Sequence, residues 1–539
     1  MADAKLQKQV FDYVIVGAGA AGCVLANRLS ADPAVSVCLL DAGPDDKHFF
    51  IGLPAGFVKI LGNDRYVTHY PTEPTTYTAG RSVSLTQGKT LGGGTSVNGM
   101  AYNRGQKTDF DEWAAQGNPG WSYADLLPLF RDLETREGGD PEYRGSKGPL
   151  AVTNVVWDDP LCRSFINGAV QSGIPINADT NAAAQAGVTF SQVNISKGKR
   201  VSSSSAFLKP IRSRRNLQVL TDTRATRVLF EGKKAVGVRC MRDGVAMEIG
   251  ARCDVIVSAG AIATAQLLQV SGIGDAQLLG NIGVPIVHEL PGVGQNFQDH
   301  YMVGVVARGK DCVTINQMAT GPQLWAQVAR WLVGQPSILG LPVALIHYFA
   351  RSGLSQGDAD IQGIFTPASH MTGGDGALDR HAGMTCAFWQ HRPLSRGHVS
   401  ARSANMLDMP VVQPNYLQHE HDRQVLLAAC KTTRRILESP AMKPYFDAEL
   451  APGPGVRSDD EWLDFAYKTG STVYHPCGTA KMGPASNRMS VVDPASMRVH
   501  GVEGLRVIDS SIMPSVTSGN TAAATMVIGE KGARLMLQR

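Results

Sequence analysis

The sequence lacks the patterns that would assign it to several specialised classes of protein. Its nine cysteines are scattered singly from Cys23 to Cys477 without a C-x-x-C pair, which argues against a disulfide framework and against a structural metal site. The formal net charge is only +4, and the densest basic cluster is the short stretch IRSRRN. A solvated face explains that cluster better than a nucleic-acid interface does, so no nucleic-acid partner is expected.

An uninterrupted apolar run of membrane-spanning length is also missing. The first residues, MADAKLQKQV, contain no apolar signal-peptide core, and we therefore expect a cytoplasmic protein. Residues 331–350, WLVGQPSILGLPVALIHYFA, carry no charge, but Pro336 and Pro342 interrupt them, which disfavours a transmembrane helix. We interpret this segment as a buried helix and loop of a second domain. A lid beside an apolar pocket and peripheral membrane contact are the alternatives.

The remaining composition is that of a large globular protein. A chain of 539 residues is too long for one compact core, so at least two domains are expected. The 43% of hydrophobic residues and the 58 glycines indicate ordinary cores joined by many tight turns.

The N-terminal stretch FDYVIVGAGAAGCVLANRLS has the pattern of a dinucleotide site. A β-branched run is followed by Gly17, Gly19 and Gly22 and then by helical apolar spacing. The next predicted strand, VSVCLLDAG, brings Asp41 to the position where a carboxylate accepts hydrogen bonds from the adenosine ribose, which disfavours NADP. The pattern alone leaves NAD and FAD open. The expected contacts with the ADP half are Gly17, Gly19, Ala20, Ala21, Gly22, Asp41 and Ala42.

A second glycine-rich stretch, GKTLGGGTSVNGMAYNRG, favours FAD. Three successive glycines indicate a backbone that lies against a flat or charged ligand, and the polar residues after them suit a pyrophosphate or an isoalloxazine edge. A flexible surface loop is the alternative, but a nicotinamide enzyme gives no reason for such a loop. The predicted contacts are Gly92, Gly93, Gly94, Thr95, Ser96 and Asn98.

The C-terminal stretch LRVIDSSIMPSVTSGNTAAATMVIGEKGARLML predicts a strand, a loop and an apolar helix. The strand ends at Asp509, and the helix begins near Asn520 or Thr521. The positive end of that helix would stabilise the negative N1–C2 edge of a reduced flavin. We therefore add Asp509, Ser510, Asn520 and Thr521 to the cofactor contacts.

Taken together, these motifs resemble the glucose–methanol–choline (GMC) oxidoreductases, a family of FAD-dependent alcohol oxidases and dehydrogenases. The resemblance extends from residue 13 to near the C-terminus. It rests on the segments GAGAAG, LGGGTSVN, SAGAIATAQLLQVSGIG, GVGQNFQDH, YHPCGTAKMG and LRVIDSSIMPSVTSGNTAA.

The resemblance implies a role for the histidine in STVYHPCGTAKMG. His475 would lie over the reactive face of the flavin as a general base, and Asn520 would hold the alcohol oxygen and also cap its helix. A neutral imidazole is a suitable base near neutral pH. In isolation, His475 would be interpreted as a structural histidine. The flanking Val473 and Tyr474 line the substrate pocket or are plain packing residues.

Further details follow from the same resemblance. Some relatives bond flavin covalently through a histidine immediately before the loop asparagine, but Val97 stands at that position, which implies noncovalent FAD. Gly99, Met100 and Ala101 would lie near the flavin edge. In contrast, His391, His398 and His500 have no accompanying motif and are interpreted as structural or exposed.

The predicted fold class is α/β (α+β for the chain as a whole). It includes a Rossmann-like FAD-binding domain that is discontinuous in sequence. That domain would comprise residues 1–155, 195–300 and 470–539. Residues 156–194 and 301–469 would form a substrate-binding domain with a mixed or antiparallel sheet.

The predicted activity is oxidation of a primary alcohol to the aldehyde by hydride transfer to flavin N5. The electrons would pass to a quinone or dye-like acceptor. The alternatives are an oxidase that uses O2 and, on the same scaffold, a flavin-containing lyase. The choice among aryl, aliphatic, polyether, choline and sugar alcohols stays open, as does the oligomeric state.

Overall fold

The carboxyl ends of the parallel strands in the first of two large sheets meet at one edge. The computed structural model describes residues 9–355, 357–370 and 377–538. The seven-stranded first sheet has the order Leu217–Leu220, Val37–Leu40, Gln9–Val16, Val245–Val257, Lys234–Arg242 and Thr223–Glu231, and Leu505–Val507 pairs with Val245–Val257. The pairings among the first four strands and with Leu505–Val507 are parallel, and the other two strands add an antiparallel meander.

The second large sheet is antiparallel throughout. Its order is Phe446–Ala451, Tyr301–Gly309, Gly383–Gln390, Ile361–Thr366, Ile346–Ala350 and Gly187–Phe190, and Ser471–Thr472 pairs with Tyr301–Gly309. Each large sheet has its own hydrophobic core. The predicted fold class, a Rossmann-like domain with a second sheet domain, is therefore confirmed.

The remaining strands form smaller, separate sheets. A three-stranded sheet joins Gln295–Phe297, Gly397–Ser400 and Val411–Gln413, and Val67–Pro71 pairs with Ser84–Gly88. Short pairs are Glu134–Thr135 with Leu150–Ala151, Thr153–Asn154 with Gln192–Val193, Ile195–Ser196 with Lys199–Arg200, and Ile273–Gly274 with His288–Glu289.

The helices cover both sheets. The longer ones are Ala20–Leu29, Lys107–Ala115, Tyr123–Leu133, Pro160–Gln171, Ala261–Val270, Gly321–Leu332, Glu420–Leu437, Asp459–Thr469 and Thr521–Leu537. Short turns of helix are Phe49–Gly52, Pro54–Gly56, Phe57–Leu61, Thr76–Thr78, Gly93–Ser96, Ser204–Leu208, Lys209–Ile211, Ala276–Asn281, Ile315–Met318, Ile338–Gly340 and Ser510–Ile512.

The first and last long helices pack closely against each other. A Cβ added to Gly529 would lie 2.9 Å from the Cα and the carbonyl oxygen of Ala21, so only glycine permits this separation. Beside this contact, Arg28 Nε donates to Glu530 Oε2 at 2.7 Å. The contact joins the two ends of the chain on one face of the first sheet.

The strands of the two large sheets follow the proposed domain division with one exception, Ser471–Thr472, which extends the second sheet. Residues 397–413 also depart from it, because they pack on helix Ala261–Val270 of the first domain. Gln269 Nε2 donates to the carbonyl of Val399, and Gln269 Oε1 accepts from the backbone N–H of Ala401.

The interpretation of residues 331–350 as a buried helix and loop was wrong. The segment begins in the last turn of Gly321–Leu332, which lies on the surface, crosses an irregular connection and ends in the buried strand Ile346–Ala350. The average hydropathy of the segment therefore does not reveal that its first part is exposed and its second part is buried. Within the described part of the chain, no helix has both the length and the apolar character needed to cross a membrane.

Candidate active site

A deep cavity lies at the carboxyl edge of the parallel strands and extends to the turn that carries His475. Its volume is about 1540 Å³ including the mouth. One end is lined by Gly17, Gly19 and Asp41, and the other end is lined by His475 and Asn520. This location, at the carboxyl ends of parallel strands, is where doubly wound folds bind dinucleotides.

The first glycine turn has the geometry that the sequence motif predicts. Gly17 has φ 103°, and a Cβ at Gly22 would lie 1.9 Å from the Gly17 carbonyl oxygen, so both positions require glycine. In contrast, a Cβ at Gly19 would meet only one atom, at 4.0 Å. Gly19 is also the N-cap of helix Ala20–Leu29 and has no side chain to cap it, so the first N–H groups of that helix face the cavity.

Asp41 lies where the ribose carboxylate was predicted. Its Oδ2 accepts from the Ala18 N–H and its Oδ1 from the Gly43 N–H, both at 2.8 Å. Burial raises the pKa of this carboxyl, while the two N–H donors oppose that shift. Each oxygen keeps one lone pair for a ligand hydroxyl, and Ala42 beside it also lines the cavity.

The second glycine stretch crosses the middle of the cavity. Of its predicted contacts, Gly93, Gly94, Thr95, Asn98, Gly99, Met100 and Ala101 line the cavity. A Cβ at Gly94 would meet nothing within 4 Å, because it would point into the open space. Gly92 and Ser96 have internal roles instead: Gly92 turns the backbone at φ 87°, and Ser96 Oγ donates to the Leu91 carbonyl at 2.6 Å.

His475 is held by a strained turn and by a buried carboxylate. Tyr474 has φ 66°, which is uncommon for an aromatic residue, and this conformation leaves Tyr474 41% exposed while His475 faces inward. Asp299 Oδ1 accepts from the backbone N–H of His475 at 2.7 Å, and Asp299 Oδ2 accepts from the hydroxyls of Tyr416 and Thr472. Burial raises the pKa of Asp299 to about 6.

The two predicted catalytic side chains are in contact. Asn520 Nδ2 lies 2.9 Å from His475 Nε2, and Asn520 Oδ1 accepts from Asn103 Nδ2 at 2.6 Å. The expectation that Asn520 also caps its helix by its side chain was wrong. Asn520 has the N-cap position of Thr521–Leu537, but its amide is directed to His475 and makes no capping hydrogen bond.

A second histidine determines which nitrogen of His475 carries the proton. His300 Nε2 lies 2.7 Å from the carbonyl oxygen of His391, which can only accept, so Nε2 is protonated. Burial lowers the pKa of His300 to about 4, and a neutral His300 must then accept at Nδ1. His475 Nδ1, 2.9 Å away, is the donor. Burial also holds the pKa of His475 well below its usual range, so the lone pair of His475 is on Nε2, beside Asn520.

The C-terminal helix directs its N-terminus to the same end of the cavity. Ser510, Asn520, Thr521 and Ala522 line it there. Asp509 also lines the cavity, but its two oxygens accept from the N–H groups of Gly260 and Ser511 and from the hydroxyls of Thr264 and Ser511. Asp509 therefore holds the neighbouring turns in position.

Part of this arrangement is formed by residues that the sequence motifs do not single out. His300, Asn103 and Gln362 surround His475 and Asn520, and Gln362 Oε1 lies 3.0 Å from Nε2 of His391. His391 is buried and contacts this network, so it is structural but not exposed. The only sequence signal for His300 was its position at the end of GVGQNFQDH. Tyr474 lines the cavity, whereas the backbone N–H of Val473 bonds the His300 carbonyl.

The donors that line the cavity fit a flavin dinucleotide. Two helix N-termini, at Ala20 and Thr521, face the cavity, and their free N–H groups would suit the pyrophosphate and the N1–C2 edge of FAD. Gly19 and Gly94 face open space in the cavity, and a side chain at either position would occupy room that a ligand needs. This fold and this site define a two-domain flavin-dependent oxidoreductase.

The chain belongs to the GMC oxidoreductase family, whose N-terminal region matches residues 11–302 and whose C-terminal region matches residues 393–529. The protein is thus an FAD-dependent enzyme of this family, as the motif resemblance implied.

Two curated relatives and one solved structure illustrate the similarity. An alcohol dehydrogenase (acceptor) from Pseudomonas putida is 37% identical over 98% of this chain and 96% of its own length. An oxygen-dependent choline dehydrogenase from Escherichia coli is 39% identical over 97% of this chain and 94% of its own. The crystal structure of pyridoxine 4-oxidase from Mesorbium loti has a TM-score of 0.89 at 30% identity, with 98% of this chain and 99% of that chain covered.

Gly94→Val tests the fit to FAD. We expect this variant to fold normally but to be purified with much less flavin, because the new side chain would occupy the cavity. The ratio of flavin absorbance to protein absorbance measures retention, and a circular-dichroism melt measures folding. Gly280→Val, at an exposed position with open space around it, is the control and should keep its flavin. Full flavin content in Gly94→Val would contradict this assignment.

Proposed function

We propose that the enzyme oxidises a primary alcohol to the aldehyde, with His475 as general base and Asn520 as the group that positions the alcohol oxygen. The observation that carries this proposal is the unprotonated Nε2 of His475, which faces the cavity 2.9 Å from the Asn520 amide. An alcohol hydroxyl that displaces the Asn520 N–H from Nε2 can give its proton to that nitrogen, while the released Asn520 N–H donates to the alcohol oxygen and stabilises the developing charge.

The cofactor is held without a covalent bond in this proposal. Bound FAD supplies the acceptor for the hydride that leaves the alcohol carbon. Val97 packs with Ile51, Ile60 and Val67 in a small hydrophobic cluster and offers no nucleophile to the flavin. The two helix N-termini and Asp41 hold the dinucleotide instead.

The lining of the cavity favours an uncharged alcohol over choline. A quaternary ammonium ligand is recognised by aromatic faces, commonly together with a carboxylate. Among the described residues that line the cavity, the acids are Asp41 and Asp509. Asp41 lies at the adenosine end, and Asp509 is occupied by four hydrogen-bond donors. The end at His475 is lined instead by Met100, Tyr474 and the amide of Asn520.

We propose a quinone or dye-like electron acceptor rather than O2. The support is the similarity to the Pseudomonas putida alcohol dehydrogenase, which is named for an acceptor; the Escherichia coli choline dehydrogenase, which is named oxygen-dependent, makes O2 the competing candidate. The experiment is anaerobic reduction of the bound flavin by a panel of aliphatic, aryl and polyether alcohols, sugars and choline, followed by reoxidation with O2 or with a quinone. Reduction by an uncharged alcohol and rapid reoxidation by quinone are expected. Fast reoxidation by O2 would identify an oxidase, and absence of bleaching by every alcohol would favour a lyase.

His475→Ala should lower the rate of flavin reduction by roughly 10² to 10⁴-fold, because the general base is removed. Rapid-mixing spectroscopy of the anaerobic holoenzyme measures this rate. The flavin content should not change, and His500→Ala is the matched control, since His500 bonds the Gly483 carbonyl away from the cavity. Equal reduction rates in His475→Ala and the unmodified enzyme would refute the assignment.

The pH dependence of flavin reduction follows from the low pKa of His475. Its burial, with the nearby His300 and His391, holds the pKa below the ordinary imidazole value. A base is active when it is unprotonated, so activity is retained above the pKa and lost as the pH falls through it. We therefore expect a constant reduction rate at saturating alcohol from pH 8 to about 6.5, with a decline only at lower pH. A decline that begins above pH 7 would contradict this expectation.

His300 is proposed as a positioning residue, and two substitutions test it. His300→Leu removes the acceptor for His475 Nδ1–H, so the proton can move to Nε2, and reduction should slow by roughly 10²-fold. His300→Asn keeps an oxygen near the position of Nδ1 and should recover most of that loss. Affinity for the alcohol and the melting temperature should differ little between the two variants. Equal reduction rates in the two variants would indicate that His300 contributes only packing and does not position His475.

A further inference from the structure

Helix Gly321–Leu332 presents an apolar face that no part of the described chain covers. None of its 12 residues is buried. Trp325, Ala329 and Leu332 recur at spacings of four and three, so they share one side of the helix. Trp325 is 74% exposed, Leu332 is 71% exposed, and Val333 after the helix is 72% exposed. Large apolar side chains that cluster at such exposure mark an interaction site.

A second exposed apolar residue lies beside this helix. Phe49 is 62% exposed, and its ring packs edge to face on Trp331 with the centroids 6.2 Å apart. We define the apolar patch as Trp325, Leu332 and Val333, together with Phe49 at its margin. Trp331, which Phe49 contacts, lies about 100° around the helix from Leu332, so Phe49 flanks the exposed face.

Basic side chains lie close to the patch. Residues 47–63, 180–221 and 312–357 contain no aspartate or glutamate. Trp331 Nε1 donates to the Gly198 carbonyl at 3.0 Å, so the exposed Lys197 and Lys199 lie beside the patch. The exposed Arg330 is on the helix itself, and the exposed Lys59 follows Phe49 in sequence, whereas Lys47 pairs with Asp45 at 3.6 Å.

We propose that this apolar patch docks the enzyme on an anionic lipid surface. An amphipathic helix with apolar residues on one face and basic residues at its margin binds the bilayer interface, and tryptophan is favoured there. Lysine and arginine add attraction to anionic headgroups. A second copy of the chain fits less well, since a twofold contact through this patch would bring the same basic residues together.

Docking would bring the lipid surface close to residues 92–101, most of which line the middle of the cavity and which are called the flavin loop below. Buried Arg200 donates from Nε to the Ile51 carbonyl, in the helical turn that carries Phe49, at 2.9 Å. Its Nη1 donates to Oδ1 and the carbonyl oxygen of Asn98 at 2.8 and 2.7 Å. One guanidinium thus connects the patch to the loop that lines the cavity. On the other side of that loop, Val343 packs against Gly99.

The test is co-sedimentation of the holoenzyme with vesicles of phosphatidylcholine alone or mixed with phosphatidylglycerol. We expect binding to the mixed vesicles and weak binding to phosphatidylcholine. Trp325→Ser/Leu332→Ser should weaken binding by tenfold or more, through lost apolar contact. Lys197→Gln/Lys199→Gln should weaken it on the order of 30-fold. These variants keep His475, Asn520 and the flavin contacts, so their flavin content and reduction rate should not change.

Matched controls use equally exposed residues elsewhere. Val156→Ser/Val245→Ser removes exposed apolar side chains, and Lys233→Gln/Lys234→Gln removes neighbouring lysines outside the patch, and both should bind vesicles normally. No binding to the mixed vesicles would overturn the proposal, as would equal binding by the patch variants and these controls. Analytical ultracentrifugation without lipid adds a further outcome: a dimer that Trp325→Ser/Leu332→Ser dissociates would assign the patch to a second copy and overturn the lipid proposal.

Discussion

The close approach of the first and last long helices supports the whole site. Gly529 allows the C-terminal helix to contact the backbone of Ala21, one residue into the helix that follows the first glycine turn. Because of this contact, two helix N-termini reach one cavity, one from each end of the chain. The proposed pyrophosphate contacts and the Asn520 loop are therefore fixed relative to each other by packing rather than by flexible connections. A change at this contact would disturb cofactor binding and proton transfer together.

The environment of His475 differs from that of a histidine paired with a carboxylate. Asp299 binds the backbone N–H of His475 and the hydroxyls of Tyr416 and Thr472, so it fixes the turn without contacting the ring. The ring contacts two neutral partners, the imidazole of His300 and the amide of Asn520. With no negative charge to stabilise the imidazolium, burial dominates and the ring stays neutral. The arrangement keeps the lone pair on His475 Nε2 available to accept a proton, but it does not raise the pKa of the ring.

The sequence predicted those parts of the protein that depend on neighbouring residues. The glycine turn at Gly17, the flavin loop around Gly94 and the start of the last helix are each encoded within about 20 residues. The contact between His300 and His475 is different, because it joins residues 175 positions apart through the pairing of two strands. No local pattern specifies such a contact.

The prediction for residues 331–350 was wrong for a related reason. Hydropathy counts how apolar the residues are, but it does not report which of them are covered by the fold. Trp331 and Leu332 belong to a surface helix, whereas Ile346 and Phe349 lie in a buried strand. Both parts of the segment are apolar in sequence, so hydropathy does not distinguish their exposure.

The orientation of the Asn520 side chain has a thermodynamic consequence. A capping asparagine typically contributes about 1 kcal/mol to the stability of its helix, and here that contribution is absent. The first amides of Thr521–Leu537 are left without a protein partner from that side chain, and their partial positive charge faces the flavin end of the cavity. The same side-chain orientation therefore gives up the stability of a capped helix and leaves those amides free to donate to a ligand in the cavity.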